Sequence, residues 1–209
     1  MAASAPTSRT TRRTRERLVA ATRAEIAARG AFTAEAVATR SGHSPATFYS
    51  YFPSKSDALE AAFDAVLRDL VDFCADELAI ERLLDEGLEA RCRVLVAATS
   101  RFFAANERVF RCALAALPGS RSLRACYRRR EAAAFEHHLR FVARGQKARL
   151  LRSGDPEALA RGLLVLLQGL NNPAVVHGRR SDPLRRELGH ALHRYLAPIA
   201  ETGTRAPPA

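Results

Sequence analysis

The chain has 209 residues, of which 47% are hydrophobic and 26% are charged. This length can bury a sizeable core, and the composition is that of a folded globular protein, which excludes a disordered chain. The net charge of +11 is uneven, because residues 1–55 hold nine Lys or Arg against three acids. A basic end on a folded chain favours a polyanionic partner, although an arginine-rich solvated surface would give the same total.

Residues 1–13 are rich in Ala, Ser, Thr and Pro, and they predict a flexible basic arm. Five arginines fall within nine residues at its end and just beyond it: Arg9, Arg12, Arg13, Arg15 and Arg17. The arm is either a solvated tail or a segment that contacts phosphates or a narrow minor groove of DNA. A helix is then expected from about Thr14 to Arg29, ended by Gly30.

The stretch from Thr33 to Lys55 predicts a short helix, a turn and a second helix. Gly42 tolerates the left-handed backbone that a tight helix end needs, and Ser44 followed by Pro45 suits the start of the second helix. On that second helix the aromatic residues share one face, and the opposite face is small and polar. An anchored helix of this kind suits insertion into the major groove, although any helical hairpin with inward aromatics has the same pattern.

At these residues the chain resembles the TetR family of bacterial one-component transcriptional regulators. The matching residues are Val37-Ala38, Ser41-Gly42, Ser44, Thr47-Phe48-Tyr49, Tyr51-Phe52 and Lys55. The resemblance implies an all-α fold of about nine helices, with a helix-turn-helix domain at 14–55 and a helical ligand-binding and dimerisation domain at 56–200. A loose tail at 201–209 would follow.

The resemblance also implies which residues contact DNA. It assigns Ser44, Thr47, Tyr49 and Lys55 to phosphates, and Pro45, Ala46, Ser50 or His43 to the edges of bases. Thr33 completes the predicted DNA-binding set. Ala46 can contact a thymine methyl group but cannot make a bidentate hydrogen bond, so we expect modest base discrimination from this face.

The rest of the chain shows helical periodicity throughout and no strand signal. Ser54 and Asp57 form a capping box that opens a long helix to about Leu78, which in the family links the DNA-binding domain to the remainder. We expect a fifth helix that contains Leu84 to Phe103. A short sixth helix would contain Phe110 and Leu114. Three more would span about 120–149, 156–177 and 183–197.

The last two predicted helices suggest that two copies of the chain associate. Residues 163–167 have almost no polar side, and a helix that is apolar all round must be covered all round. The family resemblance makes these helices a homodimer interface, whereas burial inside a monomer would explain the same pattern. The predicted interface residues are Leu163, Leu167, Leu184, Leu188, Ala191, Leu192 and Tyr195.

A ligand chamber is expected from the resemblance, between the fourth and eighth helices. Its predicted aromatic walls are Phe102, Phe103, Phe110, Tyr127 and Phe141. Its predicted polar residues are His138, Gln168, Asn171 and Asn172. Aromatic residues at helical spacing are more commonly core, so that reading stays open for each of them.

The sequence contains no phosphate-binding glycine loop, no metalloprotease His-Glu-x-x-His and no nucleophile elbow, so we expect neither an enzyme nor a metal or cofactor. The four cysteines lie in apolar helical surroundings, where reduced cysteine behaves as a small hydrophobe. Neither a secretion signal nor an apolar run of membrane-spanning length is present, and we expect a cytoplasmic protein.

These observations together predict a ligand-responsive transcriptional regulator, a repressor, that binds a palindromic DNA operator as a homodimer. A small and largely apolar effector would release it. The alternative is a DNA-binding adaptor, whose larger domain would have a filled core and an exposed surface for another protein.

Overall fold

A computed structural model describes residues 9–178 and 181–198, and within them it contains α-helices, two short 3₁₀ segments and no strand. The predicted all-α fold is confirmed. The α-helices are α1 (Arg9–Arg29), α2 (Ala34–Ser41), α3 (Pro45–Tyr51), α4 (Lys55–Glu77), α5 (Ile80–Glu86), α6 (Leu88–Ala116), α7 (Arg121–Lys147), α8 (Pro156–Gln168), α9 (Pro173–Val176) and α10 (Ser181–Leu196). The 3₁₀ segments are Leu117–Gly119 and Gly169–Asn171. The predicted tail at 201–209 and the first eight residues of the predicted arm lie outside the described residues.

The chain divides into two compact units. Unit 1 comprises Met1–Asp72 and Ala105–Ala132, and unit 2 comprises Phe73–Ala104 and Ala133–Ala209. The boundaries fall inside α4, α6 and α7, so each of these helices contributes residues to both units. The sequence predicts a different boundary, at residue 55, between a DNA-binding domain and a ligand-binding and dimerisation domain. That functional boundary stays a prediction.

The helix-turn-helix at the start of unit 1 is built from the local signals of its sequence. Thr33 Oγ1 accepts a hydrogen bond from the Ala36 amide at 3.1 Å and caps α2. Gly42 ends α2 with φ of 73°, in the left-handed region that glycine adopts without strain. Ser44 Oγ accepts from the Thr47 amide at 3.1 Å, and Pro45 occupies the first position of α3. The predicted turn at Gly42 and the predicted Ser44 cap are confirmed, and Thr33 caps α2 where the sequence predicted it as the first helical residue.

A small apolar core holds α1, α2, α3 and the start of α4 together. Phe48 and Phe52 are fully buried in it, with 0% and 2% of their surface exposed. The other members are Leu18, Val19, Ala21, Ala34, Val37, Ala58, Ala61 and Ala65. This anchoring fixes the face of α3 that points away from the core.

Glu25 is a buried acid in the same unit. It lies on the buried face of α1 with 3% of its side chain exposed. Arg40 Nε donates to Glu25 Oε1 at 2.6 Å, and the Arg29 guanidinium lies 3.6 Å from Oε2. The acid therefore joins α1 to α2 by a charged hydrogen bond, where an apolar side chain would have done so by packing.

Segments of α6 and α7 complete unit 1 through polar contacts. Arg108 donates to the carbonyl oxygens of Ala27, at 3.0 Å, and Ala28, which are among the unpaired acceptors at the C-terminus of α1. On α4, Asp64 accepts two hydrogen bonds from Arg130 of α7, at 2.8 and 2.9 Å. Helix α1 is thus tied to α6, and α4 is tied to α7.

The first helix corrects the sequence expectation. It begins at Arg9, five residues before the predicted start at Thr14. Residues 9–13 are therefore helical and not part of a flexible arm. Arginine and threonine do not oppose a helix as proline does, and the nearest proline on the N-terminal side is Pro6.

The fifth and sixth predicted helices also begin and end at different residues in the structure. The chain breaks at Gly87, whose φ is 76°, so that α5 ends before it. Helix α6 then runs without interruption from Leu88 to Ala116 and includes Phe110 and Leu114, which were expected on a separate short helix. The segment between Phe103 and Phe110 contains good helix formers, and nothing in it ends the helix.

The predicted helix at 156–177 is divided in two. Helix α8 gives way to a 3₁₀ segment at Gly169–Asn171, and Pro173 then begins α9. A proline inside a continuous helix would lose one hydrogen bond and clash with the preceding turn, so a new helix starting there is the lower-energy solution.

Unit 2 contains a buried guanidinium as well as an apolar core. Arg91 has 1% of its surface exposed, and it donates to Glu86 at 2.9 and 3.1 Å and also to Glu77. These contacts join the C-terminal ends of α4 and α5 to α6. In the same unit the Tyr195 hydroxyl donates to the Leu159 carbonyl at 3.1 Å, which links α10 to α8.

Candidate functional site

Helix α3 presents its predicted DNA-binding residues outward. Ser44, Pro45, Ala46 and Ser50 are exposed, and Thr47 is half-buried. Tyr49 has 48% of its surface exposed and makes an edge-on contact with the buried Phe48, with 5.2 Å between ring centroids. The face of α3 is therefore rigidly anchored and carries small polar groups with one aromatic ring.

Three hydroxyl groups of this face already make hydrogen bonds within the chain. Ser50 Oγ donates to the Thr47 carbonyl at 2.7 Å, and the hydroxyls of Ser44 and Thr47 lie 3.0 Å apart. Each hydroxyl retains lone pairs that can accept a further hydrogen bond. The face can therefore meet a nucleic-acid backbone without first breaking its own caps.

The remaining members of the predicted DNA-binding set lie beside α3. Thr33 and Lys55 are exposed at the N-termini of α2 and α4, and Lys55 Nζ lies 5.4 Å from the centroid of the Phe32 ring. Helix N-termini attract phosphate through the dipole and the free amides. His43 is half-buried, and its Nε2 is buried without a hydrogen-bond partner among the described residues. That ring must turn before Nε2 can reach a base edge.

The predicted aromatic walls of the ligand chamber are divided between the units. Phe110 and Tyr127 belong to unit 1, where both rings pack against Phe63, at centroid distances of 5.7 and 6.3 Å. Phe102 belongs to unit 2 and packs against Phe73 at 5.3 Å. The nearly buried Phe103 and Phe141 also lie in unit 2.

His138 is the most unusual polar residue of unit 2. Only 1% of its surface is exposed, and Nδ1 lies 2.8 Å from the Ala134 carbonyl, to which it can donate. Burial lowers the pKa of the ring to about 4, so the imidazole is neutral at pH 7. The second nitrogen, Nε2, is then a buried acceptor with no partner among the described residues, as is the hydroxyl oxygen of Thr99. Such atoms are costly to leave unpaired.

The amides predicted to orient a ligand are less buried. Gln168 and Asn171 are half-buried. Asn172 is exposed, and its Oδ1 accepts from the Ala174 amide at 2.9 Å as the cap of α9. Asn172 is thus a capping residue at the surface, and we remove it from the predicted chamber.

The predicted dimer residues fall into two groups. Leu163, Leu167 and Leu192 have between 0% and 6% of their surface exposed within the single chain, so they are core and have almost no area left for a partner. This corrects the assignment of Leu163, whereas Leu167 and Leu192 still line an apolar groove at the surface. The other four retain exposed surface: Leu184, Leu188, Ala191 and Tyr195.

Two residues of α8 that were not among the predicted interface residues are exposed and apolar. Val165 has 60% and Leu166 has 45% of its surface exposed on α8. An apolar groove of about 240 Å³ lies beside them, lined by Leu166, Leu167 and Leu170 with Leu188, Ala191, Leu192, Tyr195 and Val96. The unbroken apolar run at 163–167 was the available signal, but periodicity could not tell which side of α8 faces the core.

Three of the four cysteines show no sign of activation. Burial raises the pKa of Cys74 and of Cys92 to about 12. Burial and the neighbouring Asp64 raise the pKa of Cys126 to about 12 as well. Thiols that stay protonated at neutral pH are poor nucleophiles and poor redox sensors.

Neither a metal cluster nor a membrane span is found in the part of the chain that the structure describes. Its residues contain no group of three or more His, Cys, Asp or Glu that could hold a metal ion. Of the helices in the same described ranges, none is long and apolar enough to cross a membrane.

The comparisons with known proteins agree with the geometry of α1 to α4. Residues 18–62 match the family model described as bacterial regulatory proteins, tetR family. A sequence comparison with curated proteins finds no match.

Solved structures match over most of the chain. A candidate TetR-family transcriptional regulator from Mesorhizobium loti MAFF303099 has a TM-score of 0.74 at 19% identity, covering 90% of this chain and 96% of its own. A candidate transcriptional regulator from Saccharomonospora viridis in complex with choline has a TM-score of 0.67 at 22% identity, covering 89% and 98%. The SmeT–triclosan complex has a TM-score of 0.65 at 21% identity, covering 94% and 96%.

At these identities the structural matches show a shared fold and nothing finer. The match at residues 18–62 lies on the helix-turn-helix itself, where Gly42, Ser44 and the buried Phe48 have the roles that the motif requires. The helix-turn-helix of this chain therefore matches the tetR family of bacterial regulatory proteins, and the chain as a whole shares the fold of TetR-family transcriptional regulators.

Proposed function

We propose that the chain is a repressor that binds a palindromic operator as a homodimer and leaves it when a small, largely apolar effector binds. The exposed, capped face of α3 carries the DNA-binding part of this proposal. The buried Nε2 of His138, unpartnered among the described residues, carries the effector part. The protein would act on DNA, and we therefore expect it in the cytoplasm.

The surface of α3 supports DNA binding chiefly through phosphates. Ser44, Thr47 and Tyr49 offer hydroxyls, and Lys55 adds a charge at the N-terminus of α4. Pro45, Ala46 and Ser50 are the exposed residues best suited to approach base edges. With about 6–10 phosphates contacted per dimer, affinity should fall roughly 10³–10⁵-fold between 50 and 200 mM salt.

The effector proposal rests on unit 2. A neutral imidazole with a free acceptor offers one specific hydrogen bond to a ligand that carries a donor, and Thr99 offers a second polar atom. Phe102, Phe103 and Phe141 supply apolar surface in the same unit. Two structures of the same fold are complexes with small molecules, choline in one and triclosan in the other.

The protein-binding adaptor is the less favoured alternative. An adaptor needs only a filled apolar core in its larger domain. Such a core does not explain why the buried Nε2 of His138 lacks a hydrogen-bond partner among the described residues. The cost of leaving such an acceptor unpaired is about 1–3 kcal/mol, which a ligand that donates a hydrogen bond would remove.

The dimer is proposed to form through α8 and α10. Val165 and Leu166 are exposed on α8, and Leu188 and Ala191 line the adjoining groove from α10. In a two-fold dimer each copy would contribute the same surface to the interface. Each contact would therefore occur twice, once for each copy. The two α3 helices should then lie about 34–36 Å apart, one turn of DNA.

Helix α4 is the proposed link between effector and DNA. It begins at Lys55 beside the DNA-binding residues, and its last turns belong to unit 2. A ligand changes the affinity for DNA only if it binds more tightly to one spacing of the two α3 helices in the dimer than to another. A hundredfold release corresponds to about 2.7 kcal/mol of coupling, within the usual range.

Native mass spectrometry of freshly purified protein tests the dimer and the ligand together. We expect twice the chain mass of 22.9 kDa, and any retained small molecule as added mass. The His138→Leu variant should retain less of that molecule, while His137→Leu, on the adjacent residue that contacts Arg140, should retain it fully. A monomer, or equal retention by both variants, would contradict the corresponding part of the proposal.

A further inference from the structure

Thr99 differs from the other buried hydroxyl residues of the chain. Only 3% of its surface is exposed, and its hydroxyl oxygen has no hydrogen-bond partner among the described residues. The buried hydroxyls of Thr22 and Ser100 each donate to the carbonyl four residues earlier, at 2.9 and 2.7 Å, which satisfies them within their own helix. The Thr99 hydroxyl makes no such bond, so it stays available to a group outside its own helix.

Thr99 and His138 lie at the same level of neighbouring helices. Helices α6 and α7 are joined only by the 3₁₀ segment Leu117–Gly119 and Ser120, and so short a connection makes two helices antiparallel neighbours. Thr99 lies 17 residues before the end of α6, and His138 lies 17 residues after the start of α7. At 1.5 Å per residue, both lie about 26 Å from the connection.

The burial of the two helices supports this register. Residues at equal distances from the connection are buried on both helices in further pairs, which are Leu95 with Val142, Val96 with Phe141, and Phe103 with Ala134. Each of these side chains has 4% or less of its surface exposed. The buried faces of α6 and α7 in unit 2 therefore match level by level, and Thr99 and His138 form a polar level between apolar ones.

The polar atoms of this level are complementary and yet unpaired. The Ala134 carbonyl can only accept, so Nδ1 of the neutral His138 ring carries the hydrogen and Nε2 is an acceptor. The Thr99 hydroxyl could donate to Nε2, but neither atom has a hydrogen-bond partner among the described residues. Because the two atoms do not bond to each other, a third polar group is needed to satisfy both.

The buried charge of unit 2 is already paired. Among the described residues of this unit, the buried polar or charged side chains are Arg91, Thr99, Ser100 and His138. Arg91 donates to both Glu77 and Glu86. A carboxylate or ammonium group bound between Thr99 and His138 would therefore be buried without an opposite charge, which is costly. The level suits an uncharged group.

We propose that Thr99 and His138 together bind one hydroxyl group of an uncharged, largely apolar ligand, a phenol or an alcohol. The ligand hydroxyl donates to His138 Nε2 and accepts from the Thr99 hydroxyl, so both buried atoms gain a partner. This inference rests on the proposed effector function and names the chemical class of the effector. A hydroxyl oxygen both donates and accepts, whereas a carboxylate or an ether oxygen only accepts.

Isothermal titration calorimetry with phenol, para-propylphenol and β-naphthol tests the class of ligand. Each phenol is compared with its methyl ether, which has a similar apolar body but cannot donate a hydrogen bond. Thr99→Val removes the hydroxyl and keeps the branched shape of the side chain. Ser100→Ala is the matched control, because it removes the adjacent buried hydroxyl, which already has a partner.

We expect at least one phenol to bind the unmodified protein, and its methyl ether to bind at least about tenfold more weakly. Thr99→Val should bind the same phenol roughly tenfold more weakly, as expected for one lost hydrogen bond, and Ser100→Ala should keep the affinity. Without ligand, Thr99→Val should unfold at no lower temperature than the unmodified protein, because it removes an unpaired buried hydroxyl. Combining Thr99→Val with His138→Leu should cost less affinity than the product of the two single losses, because both side chains bind one group.

The outcomes separate this inference from the proposed function. The inference is wrong if no phenol binds, if a phenol and its ether bind equally, or if Thr99→Val keeps the affinity of the unmodified protein. A small molecule that the unmodified protein and Thr99→Val retain equally in native mass spectrometry would then leave the proposed effector function standing. A phenol that binds through Thr99 without changing the affinity for duplex DNA would contradict the proposed release from DNA and leave the hydroxyl site standing.

Discussion

At the residue scale, polar atoms buried in an apolar environment distinguish this chain from a generic helical protein. Glu25 and Arg91 are both buried and both have charged partners, although Glu25 Oε2 and Arg91 Nε make no hydrogen bond among the described residues. His138 has one partner and, among the described residues, one unpaired nitrogen. Sequence reasoning could select His138 as a candidate from its place on an apolar stripe, but its burial and its unpaired atom depend on three-dimensional packing.

The buried histidine predicts a specific pH dependence of stability. The pKa of His138 falls from 6.5 to about 4 on folding, so the unfolded chain binds more protons between these values. Stability should therefore be full above about pH 6.5 and should decrease as the pH falls towards 4. The loss should be on the order of 3 kcal/mol.

Urea unfolding between pH 4 and pH 7 measures this effect. The His138→Gln variant lacks the titrating ring and should show a flatter profile over the same interval. An equally steep profile in the variant would mean that other groups cause the loss.

At the element scale, the two faces of α3 were largely predictable and the helix boundaries were only partly so. Caps and turns depend on neighbouring residues, which is why Gly42, Ser44 and the pair Ser54 and Asp57 could be assigned from the sequence. The continuity of α6 could not be predicted from the sequence. A pattern of apolar residues shows where a helix can form, but it does not show where the helix must end. The break at Gly87 was the decisive local signal and was missed.

The contact between α4 and α7 gives the element-scale prediction. Burial alone would raise the pKa of Asp64, but hydrogen bonds from Arg130 and Cys126 and the Arg130 charge lower it to about 2. The ionised carboxylate therefore stabilises unit 1 above about pH 4, and this contribution is lost as the pH falls towards 2. Asp64→Asn should reduce the free energy of unfolding by roughly 1–3 kcal/mol, since it weakens charged hydrogen bonds.

Chemical denaturation at pH 7 checks that value. Glu157→Gln provides the control, because its pair with Arg161 is exposed at both ends and should contribute less than about 1 kcal/mol. Equal effects of the two variants would show that the contact between α4 and α7 has no special importance.

At the scale of the whole molecule, the sequence predicted the fold class and the family of the helix-turn-helix, but not the accessible face of the C-terminal helices. Helical periodicity identifies an apolar stripe, and both the core and a subunit interface require one. Leu163 and Leu192 were assigned to the interface and are core, whereas Val165 and Leu166 are exposed. The predicted ligand-binding residues come from distant parts of the chain, and periodicity alone does not show which of them lie near one another.

The exposed apolar surface of α8 predicts how the dimer can be broken. Leu166→Asp would place a charge in the proposed interface of both copies, and removing it from water without a partner is costly. We expect this variant to be monomeric at micromolar concentration by analytical ultracentrifugation. Leu84→Asp is the matched control, because Leu84 is 60% exposed on α5 and does not line the groove. A dimeric Leu166→Asp variant would place the interface elsewhere.

The most direct test of the account is selection of bound duplexes from a random DNA library, followed by sequencing. A homodimer that reads DNA through two copies of α3 should enrich an inverted repeat, with half-site centres about one helical turn, roughly 10–10.5 base pairs, or slightly more apart. The variant Thr47→Ala/Tyr49→Ala lacks two of the proposed phosphate contacts, and it should bind the enriched duplex more weakly without preferring a different sequence. Enrichment of a single site without two-fold symmetry would contradict the proposed dimer, and absence of any enriched sequence would contradict recognition by α3.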